Sequence, residues 1–298
     1  MEIGRLLTAM VTPFDREGQV DYAQAQRLAA ALLDSGSDGL VIGGTTGEAP
    51  TLTHDEKLRL FAAVKEAGGG RGAVLAGTGT NNTAASIELS QEAERAGVDG
   101  LLLTAPYYNK PTQEGLYRHF ESIARATRLP CVLYNIPSRT AVNMTADTTL
   151  RLSRVPNIVG IKEASGDLVQ IARIIDDAGE EFRVWSGDDP MTLPVLSVGG
   201  YGVISVAAHL CGLQIHRMID DYVAGRTAEA AAAHRRLQPL SEALLTVASN
   251  PTPLKYALNQ IGFLVGAPRL PLVEPEGEAA ERIMAEVRRH HIDLAVTV

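Results

Sequence analysis

Short runs of apolar, β-prone residues recur along the chain and alternate with segments of helical period. Each run is apolar on both faces, which is typical of parallel strands covered by helices. The segments between them carry one apolar stripe, as where Ala25, Leu28, Ala29 and Leu32 fall at i, i+3, i+4 and i+7. We predict strands at Leu6–Thr12, Gly39–Gly43, Ala73–Gly77, Gly100–Thr104, Cys131–Asn135, Ile158–Lys162, Arg183–Ser186 and Gly202–Ala207.

Local signals mark where helices begin and end. Thr53 and Glu56 have the spacing of a capping box ahead of an apolar stripe, so a helix is predicted to begin there. Gly36, Gly97 and Gly179 stand where helices are predicted to stop, because glycine readily adopts the left-handed conformation that closes a helix.

The order of these elements predicts the fold class. Eight strand–helix units are typical of an α/β chain folded as a (β/α)₈ TIM barrel, which takes about 250 residues. A doubly wound sheet is the alternative, but the absence of an interrupting β-hairpin favours closure. After Gly225 only helical pattern continues. We therefore predict a barrel with the active site at 1–224 and a C-terminal helical appendage at 225–298, packed on the barrel.

Composition and charge narrow the class of protein. With 45% hydrophobic and 21% charged residues the chain is typical of soluble globular proteins, and its net charge of −8 argues against nucleic acid or an anionic membrane as partner. Residues 190–215 lack Asp, Glu, Lys and Arg, but Pro194 and Gly199–Gly200 break them into short elements. There is no signal-peptide pattern, and Cys131 and Cys211 are expected to be reduced, so we expect a cytoplasmic protein.

The residues that end the strands are the candidates for chemistry, because barrel active sites lie at the C-terminal ends of the strands. Six of the predicted strands end in or run into polar or glycine-rich segments, and we expect these loops to meet at one mouth. The segments are Gly43–Glu48, Pro106–Asn109, Tyr134–Arg139, Lys162–Gly166, Ser186–Asp189 and Ile204–Ser205.

Lys162 is the sharpest single candidate. It follows the apolar residues Ile158–Ile161, so its amine is predicted to lie in the barrel interior, where burial lowers the pKa of a lysine. A neutral amine is what Schiff-base formation with a carbonyl compound requires. The alternative is a structural lysine that reaches solvent or pairs with Glu163.

Three other strand-end features fit a carbonyl chemistry. Tyr134 would place a phenol beside the amine to shuttle protons, or else is a packing residue with a satisfied hydroxyl. Thr45 and Thr46, followed by Gly47, offer hydroxyls and backbone N–H groups to a small carboxylate, unless they only form a turn. Arg139 is a cation that can fork onto a carboxylate, and its alternative is a surface arginine in a loop.

Other chemistries are disfavoured. Gly77–Asn82 begins like a dinucleotide fingerprint but lacks the third glycine, which argues against NAD. Asp188, Asp189 and Glu48 are not at metal-ligand spacings with any histidine. No serine sits in a nucleophile elbow. We therefore expect neither a metal nor a cofactor.

The strand-end segments together closely resemble the dihydrodipicolinate synthase family over nearly the whole chain. The resemblance implies a lyase of the class I aldolase type, which condenses pyruvate with L-aspartate 4-semialdehyde to give 4-hydroxy-tetrahydrodipicolinate in lysine and diaminopimelate biosynthesis. It also implies a homotetramer built from two tight dimers. The segments that carry it are GGTTGE at 43–48, PYYNKPTQEG at 106–115, YNIPSRT at 134–140, GIKEASGD at 160–167, SGDD at 186–189, GVISV at 202–206 and NPTPLK at 250–255.

The resemblance also implies a catalytic set. Lys162 is the Schiff-base lysine, and Tyr134 is the proton donor and acceptor. Thr45 links Tyr134 to Tyr108, which in the family reaches across the dimer interface. The imine itself acts as the electron sink, so the resemblance implies no cofactor.

A substrate-binding set follows in the same way. Thr46 would bind the pyruvate carboxylate, and the backbone of Ile204 would lie at the same site. Arg139 would meet the carboxylate of the incoming semialdehyde. Gly187 would shape the pocket beside the lysine.

Two rival functions remain open. A sister aldolase, such as N-acetylneuraminate lyase or a 2-keto-3-deoxy sugar acid aldolase, shares the lysine and the tyrosine, but the pairs Thr45–Thr46 and Tyr107–Tyr108 and the residue Arg139 match the synthase. A barrel that senses a small anion without turnover is the other rival. The presence of both Lys162 and Tyr134 argues against it.

A regulatory site is also implied by the resemblance. His54, Asn81 and Tyr107 match the site at which lysine-inhibited members bind lysine. Lys57 stands where those members carry His, and Ala85 stands where they carry Glu, so a partner for the effector's ammonium is lost. We predict weak or absent inhibition, because a lost charge partner weakens buried ion binding strongly.

Overall fold

A computed structural model of the chain, which describes residues 3–296, contains a closed barrel of eight parallel strands. Each strand pairs with its neighbour in sequence, and the first strand also pairs with the last. The (β/α)₈ fold predicted from the sequence is therefore confirmed. The strands are β1 (Leu6–Ala9), β2 (Gly39–Ile42), β3 (Ala73–Gly77), β4 (Gly100–Thr104), β5 (Cys131–Asn135), β6 (Ile158–Glu163), β7 (Arg183–Ser186) and β8 (Gly202–Ser205).

Three strands are shorter than predicted at their C-terminal ends: β2 by one residue, and β1 and β8 by more. Beyond β1 and β8, backbone N–H groups bond to side chains instead of to a neighbouring strand. Beyond β1, the N–H of Val11 donates to Nε2 of His209 at 3.2 Å. Beyond β8, the N–H groups of Val206 and Ala207 donate to Oδ2 of Asp189 at 2.8 and 3.2 Å. These bonds connect the ends of β1 and β8 to His209 and Asp189.

Helices cover the outside of the barrel. Thr53 and Glu56 form the predicted capping box at the start of the second helix. The backbone is left-handed at Gly36, Gly97 and Gly179, with φ of +101°, +82° and +88°, so the three predicted helix stops are confirmed. The helices are α1 (Tyr22–Asp34), α2 (His54–Gly68), α3 (Thr83–Arg95), α4 (Gln113–Arg125), α5 (Pro137–Thr140), α6 (Ala146–Leu152), α7 (Leu168–Asp177), α8 (Thr192–Ser197) and α9 (Ala208–Val223).

The C-terminal region is helical, as predicted. It consists of α10 (Thr227–Thr246), α11 (Thr252–Gln260) and α12 (Gly277–Arg289). Helix α10 packs against α9 and α12, and α11 packs against α12. Within residues 3–296, no helix is both long and apolar enough to cross a membrane.

An apolar layer fills the barrel beneath the site. Side chains that point inward from the strands form one buried cluster, which includes Leu75, Val132, Trp185 and Ile204. Tyr134 belongs to the same cluster and is 4% exposed. A side chain at the top of this layer therefore has an apolar floor.

Candidate active site

Lys162 lies at the C-terminal end of β6, and its side chain is only 5% exposed. In the β5–β6 pairing its register partner is Tyr134, and Nζ of the lysine lies 4.3 Å from the centroid of the tyrosine ring. No ion pair of Lys162 occurs among the described residues. The neighbouring Glu163 instead accepts hydrogen bonds from Asn135 Nδ2 at 3.1 Å and from the N–H of Ser165 at 2.8 Å.

The electrostatic surroundings make Lys162 an unusual amine. Burial lowers its pKa to about 8, Asp189 and Asp188 act in the opposite direction, and Arg139 lowers it further. At that pKa roughly a tenth of the amine is neutral at pH 7, against a few parts in ten thousand for an ordinary lysine. The Lys162 amine is therefore available as a nucleophile near neutral pH.

Tyr134 has the opposite perturbation. Burial raises the pKa of its phenol above the ordinary value of 10.0, and the Arg139 guanidinium opposes this shift. The phenol is therefore protonated at neutral pH and can donate a proton to a group formed on the adjacent amine.

A cavity of about 350 Å³ opens above Lys162 at the C-terminal ends of the strands. Six of the eight residues assigned to catalysis or substrate binding line it, namely Thr45, Thr46, Tyr134, Arg139, Lys162 and Gly187. Leu245, Thr246 and Asn250 also line the cavity. These three lie in the C-terminal region, so that region contributes directly to the cavity wall.

The loop after β2 carries the two threonines. Thr46 is 4% exposed, and its Oγ1 accepts a hydrogen bond from Nδ2 of Asn250 at 2.9 Å. The loop opens with Gly43 at φ +62° and closes with Glu48 at φ +56°, both in the left-handed region. Between these two residues, Thr45 and Thr46 both line the cavity.

Arg139 lies on α5 and lines the cavity, with Nη2 donating to the backbone oxygen of Asn250 at 3.3 Å. Its charge acts on both Lys162 and Tyr134. The arginine is thus part of the cavity wall rather than only a surface residue of a loop. Its guanidinium is available to a carboxylate that enters the cavity.

Gly187 leaves room beside the lysine. A Cβ added at this position would lie 3.2 Å from Cγ of Lys162 and 2.7 Å from Cβ of Ala164. Any side chain at Gly187 would therefore push against the lysine or the loop after β6. This close approach explains in physical terms why the position is a glycine.

Two predicted site residues do not line this cavity. Tyr108, in the loop after β4, is 90% exposed and has φ +74°, so its ring lies on the surface of the single chain. Ile204 is 1% exposed and packs in the barrel interior. Of the six strand-end loops expected at one mouth, the loop after β4 therefore does not line the cavity within one chain.

The residues predicted to bind lysine lie apart from the cavity. Asn81 donates from Nδ2 to the backbone oxygen of Tyr107 at 3.2 Å. His54 on α2 is hydrogen-bonded to Glu92 on α3. Ala85 lies exposed on α3, and burial lowers the pKa of Lys57. The predicted effect of Lys57 and Ala85 on inhibition stays a prediction.

Sequence reasoning missed several residues that shape the site. Asp189 accepts hydrogen bonds from Ser205 Oγ and from two backbone N–H groups, and so ties the loop after β7 to the end of β8. Asp188 lines the cavity, and burial together with Asp189 raises its pKa to about 6. Both carboxylates belong to the SGDD segment at 186–189, which is the sequence signal that could have indicated them. Within residues 3–296, no group of three or more His, Cys, Asp or Glu is suited to hold a metal.

Comparison with known proteins identifies the family. The model of the dihydrodipicolinate synthetase family matches residues 2–290. The 4-hydroxy-tetrahydrodipicolinate synthase of Dehalococcoides mccartyi is 58% identical over 295 residues, which cover 99% of both chains. A dihydrodipicolinate synthase structure from Cyanidioschyzon merolae with lysine bound is 46% identical, with a TM-score of 0.95 over 96% of this chain and 98% of that one. The chloride-inhibited dihydrodipicolinate synthase of Acinetobacter baumannii complexed with pyruvate is 36% identical, with a TM-score of 0.93 over 97% of this chain and 99% of that one. The chain therefore belongs to the dihydrodipicolinate synthase family.

Proposed function

We propose that the protein condenses pyruvate with L-aspartate 4-semialdehyde to give 4-hydroxy-tetrahydrodipicolinate, through a Schiff base on Lys162. The observation that carries this proposal is the buried Lys162 amine, with its pKa near 8, 4.3 Å from the Tyr134 ring at the floor of the cavity. The activity is the one named for relatives that match over the full length of the chain.

The chemistry begins at the amine. Neutral Nζ of Lys162 adds to the carbonyl carbon of pyruvate, and the resulting carbinolamine loses water to give an imine. Tyr134 supplies the proton for the departing hydroxyl and takes protons back in later steps. The protonated imine withdraws electrons, so a methyl proton leaves and a neutral enamine forms.

The second substrate is consumed by this enamine. Its terminal carbon attacks the aldehyde carbon of the semialdehyde, and the aldehyde oxygen becomes a hydroxyl. The amine of the product then attacks the imine carbon, closes the ring and releases Lys162. Arg139 holds the semialdehyde carboxylate, while Thr46 holds that of pyruvate.

The sister aldolases are the second candidate class, since they would share the first half-reaction. A guanidinium on the cavity wall favours the semialdehyde, because that substrate brings a carboxylate of its own into the same cavity. A coupled assay with pyruvate and the semialdehyde, run beside N-acetylneuraminate as a competing substrate, separates the two. Turnover of N-acetylneuraminate at a comparable rate would favour the sister class.

We also propose a homotetramer made of two tight dimers in the cytoplasm. The exposed ring of Tyr108 supports an interface at the loop after β4, because a tyrosine that is 90% exposed on one chain can enter the site of a second chain. The free thiols of Cys131 and Cys211 suit a reducing compartment. Sedimentation of the wild type and of Tyr108→Ala, with activity measured on both, tests the assembly.

Borohydride trapping tests the Schiff base directly. Reduction in the presence of pyruvate is expected to add a stable mass to one peptide, the one that contains Lys162. Lys162→Ala should abolish both the adduct and turnover, whereas Lys57→Ala, which removes another lysine whose pKa is lowered by burial, should abolish neither. An adduct on a different lysine would contradict the mechanism.

A further inference from the structure

We propose that Lys255, in the C-terminal region, is a positioning residue that holds the loop at 43–48 in its pyruvate-binding conformation through a buried ion pair with Glu48. The inference rests on the proposed function, because it assigns pyruvate binding to Thr46 in that loop. It extends the function to a residue more than two hundred positions away in the sequence.

The ion pair is completely enclosed. Nζ of Lys255 lies 2.9 Å from Oε1 of Glu48, and both side chains have 0% exposure. The same amine donates to the backbone oxygens of Thr12 and Ala267, each at 3.1 Å. An ammonium has three N–H donors, so these three acceptors use all of them. A fully bonded buried ammonium has one orientation and cannot swing away.

Glu48 is held from the C-terminal region on both carboxylate oxygens. Oε1 is bound by Lys255, and Oε2 accepts the backbone N–H of Arg269 at 2.9 Å. Glu48 itself is in the left-handed region with φ +56°, where residues with a side chain seldom lie. Such a conformation persists only where the surroundings hold it. The carboxylate contacts supply that restraint at the end of the loop.

Two further hydrogen bonds reach the loop, one from the C-terminal region and one from the loop after β1. Asn250 donates to Oγ1 of Thr46 at 2.9 Å. Thr12, whose backbone oxygen binds Lys255, donates from Oγ1 to the backbone oxygen of Gly47 at 2.6 Å. Three consecutive loop residues, Thr46 to Glu48, are therefore bonded to Asn250, Thr12 and Lys255 in turn, and Thr12 is itself bonded to Lys255. Among the described residues, the pair of Lys255 with Glu48 is the only ion pair that these contacts make with the loop. Loss of Lys255 would therefore remove the one ionic restraint on the loop.

Stability alone does not account for a polar pair at this position. An apolar pair of similar volume often stabilises a buried site as well as an ion pair does, or better. What an apolar pair lacks is direction, since it has no hydrogen bonds to hold Glu48 at one distance and angle. The Glu48→Met/Lys255→Met double variant therefore separates a role in stability from a role in positioning. It removes the directional hydrogen bonds that hold Glu48 and leaves no unpaired buried charge.

The measurement is the pyruvate concentration that gives half of the maximal borohydride adduct on Lys162. For the folded double variant we expect that concentration to rise roughly 10-fold to 100-fold, the scale of an effect caused by a misplaced binding group. The KM for the semialdehyde should stay within about twofold and kcat at saturating pyruvate should fall less than the pyruvate affinity. Lys65→Met is the matched control, because Lys65 forms its ion pair with Asp99 before β4, at the opposite end of the barrel. It should leave the pyruvate concentration unchanged.

Glu48→Asp provides an independent variant if the double variant does not fold. It keeps the charge but shortens the side chain by one methylene, so the loop must shift to keep the ion pair. We expect the half-saturating pyruvate concentration to rise in this variant too. Thermal unfolding should show that its fold is intact. Unchanged pyruvate affinity in either folded variant would overturn the inference. Absence of any adduct in the wild type would instead overturn the proposed function.

Discussion

The pKa of Lys162 makes a quantitative statement about pH. With a pKa of about 8, the neutral fraction of the amine is roughly a tenth at pH 7 and roughly nine tenths at pH 9. An ordinary lysine would hold only a few parts in ten thousand at pH 7, so burial raises the concentration of nucleophile by about 300-fold. The rate of Schiff-base formation with pyruvate should therefore rise about tenfold between pH 7 and pH 9 and then level off.

The assay is a single-turnover measurement. The enzyme is mixed with pyruvate at each pH, and samples are quenched with borohydride at successive times. The fraction of chain that carries the adduct is then read by mass spectrometry. A midpoint near pH 8 is expected, and a rate that still climbs steeply above pH 9.5 would refute the argument that burial has lowered the pKa.

Two variants move the midpoint in opposite directions. The Arg139 guanidinium lowers the pKa of Lys162, so Arg139→Ala should shift the midpoint of adduct formation to higher pH. The Asp188 carboxylate raises it, so Asp188→Asn should shift the midpoint to lower pH. Shifts of the same sign in both variants would show that charge is not the cause.

Four further outcomes are expected. Tyr134→Phe should lower kcat in the coupled assay by about 10²-fold, because the proton relay is lost, and near-normal turnover would make the hydroxyl structural. Arg139→Ala should cost about 2–5 kcal/mol in use of the semialdehyde and much less in pyruvate trapping, and an equal loss in both steps would count against a carboxylate contact. L-lysine at sub-millimolar concentration should inhibit weakly or not at all, and strong inhibition would show that Lys57 and Ala85 do not disable the site. Lys162→Met should raise the free energy of unfolding at pH 7 by about 3 kcal/mol, because the folded pKa near 8 lies below the unfolded value near 10.5. In urea titrations this advantage should fade as the pH rises from 8 to 10.5, and a constant advantage across that range would point to packing instead.

Much of the fold was readable from local pattern. The apolar runs placed all eight strands, because a strand covered on both faces must be apolar on both faces whatever its partners are. Helix ends were also marked by local residues, namely the glycines at 36, 97 and 179 and the Thr53–Glu56 capping box. Caps can be recognised in this way because they are formed by residues near one another in the chain. Lys162 was recognisable because a lysine that ends an apolar strand is a local feature as well.

Other features were decided only when the barrel closed. Tyr134 and Lys162 meet because the β5–β6 register pairs them after an irregularity at Cys131/Val132, and register is not encoded in the apolar pattern of either strand. Tyr108 lies on the surface of the single chain, in a loop whose backbone is left-handed at Tyr108 and Lys110, and neither feature is visible in an apolar pattern.

The C-terminal region shows the same limit most clearly. By periodicity its helices were an appendage, yet Asn250 bonds to Thr46 and Lys255 to Glu48 across separations of 204 and 207 residues. Helical period reports only which face of a helix is buried. Which loop that face meets depends on how the whole chain packs, so the contribution of residues 245–269 to the site was settled by tertiary structure alone.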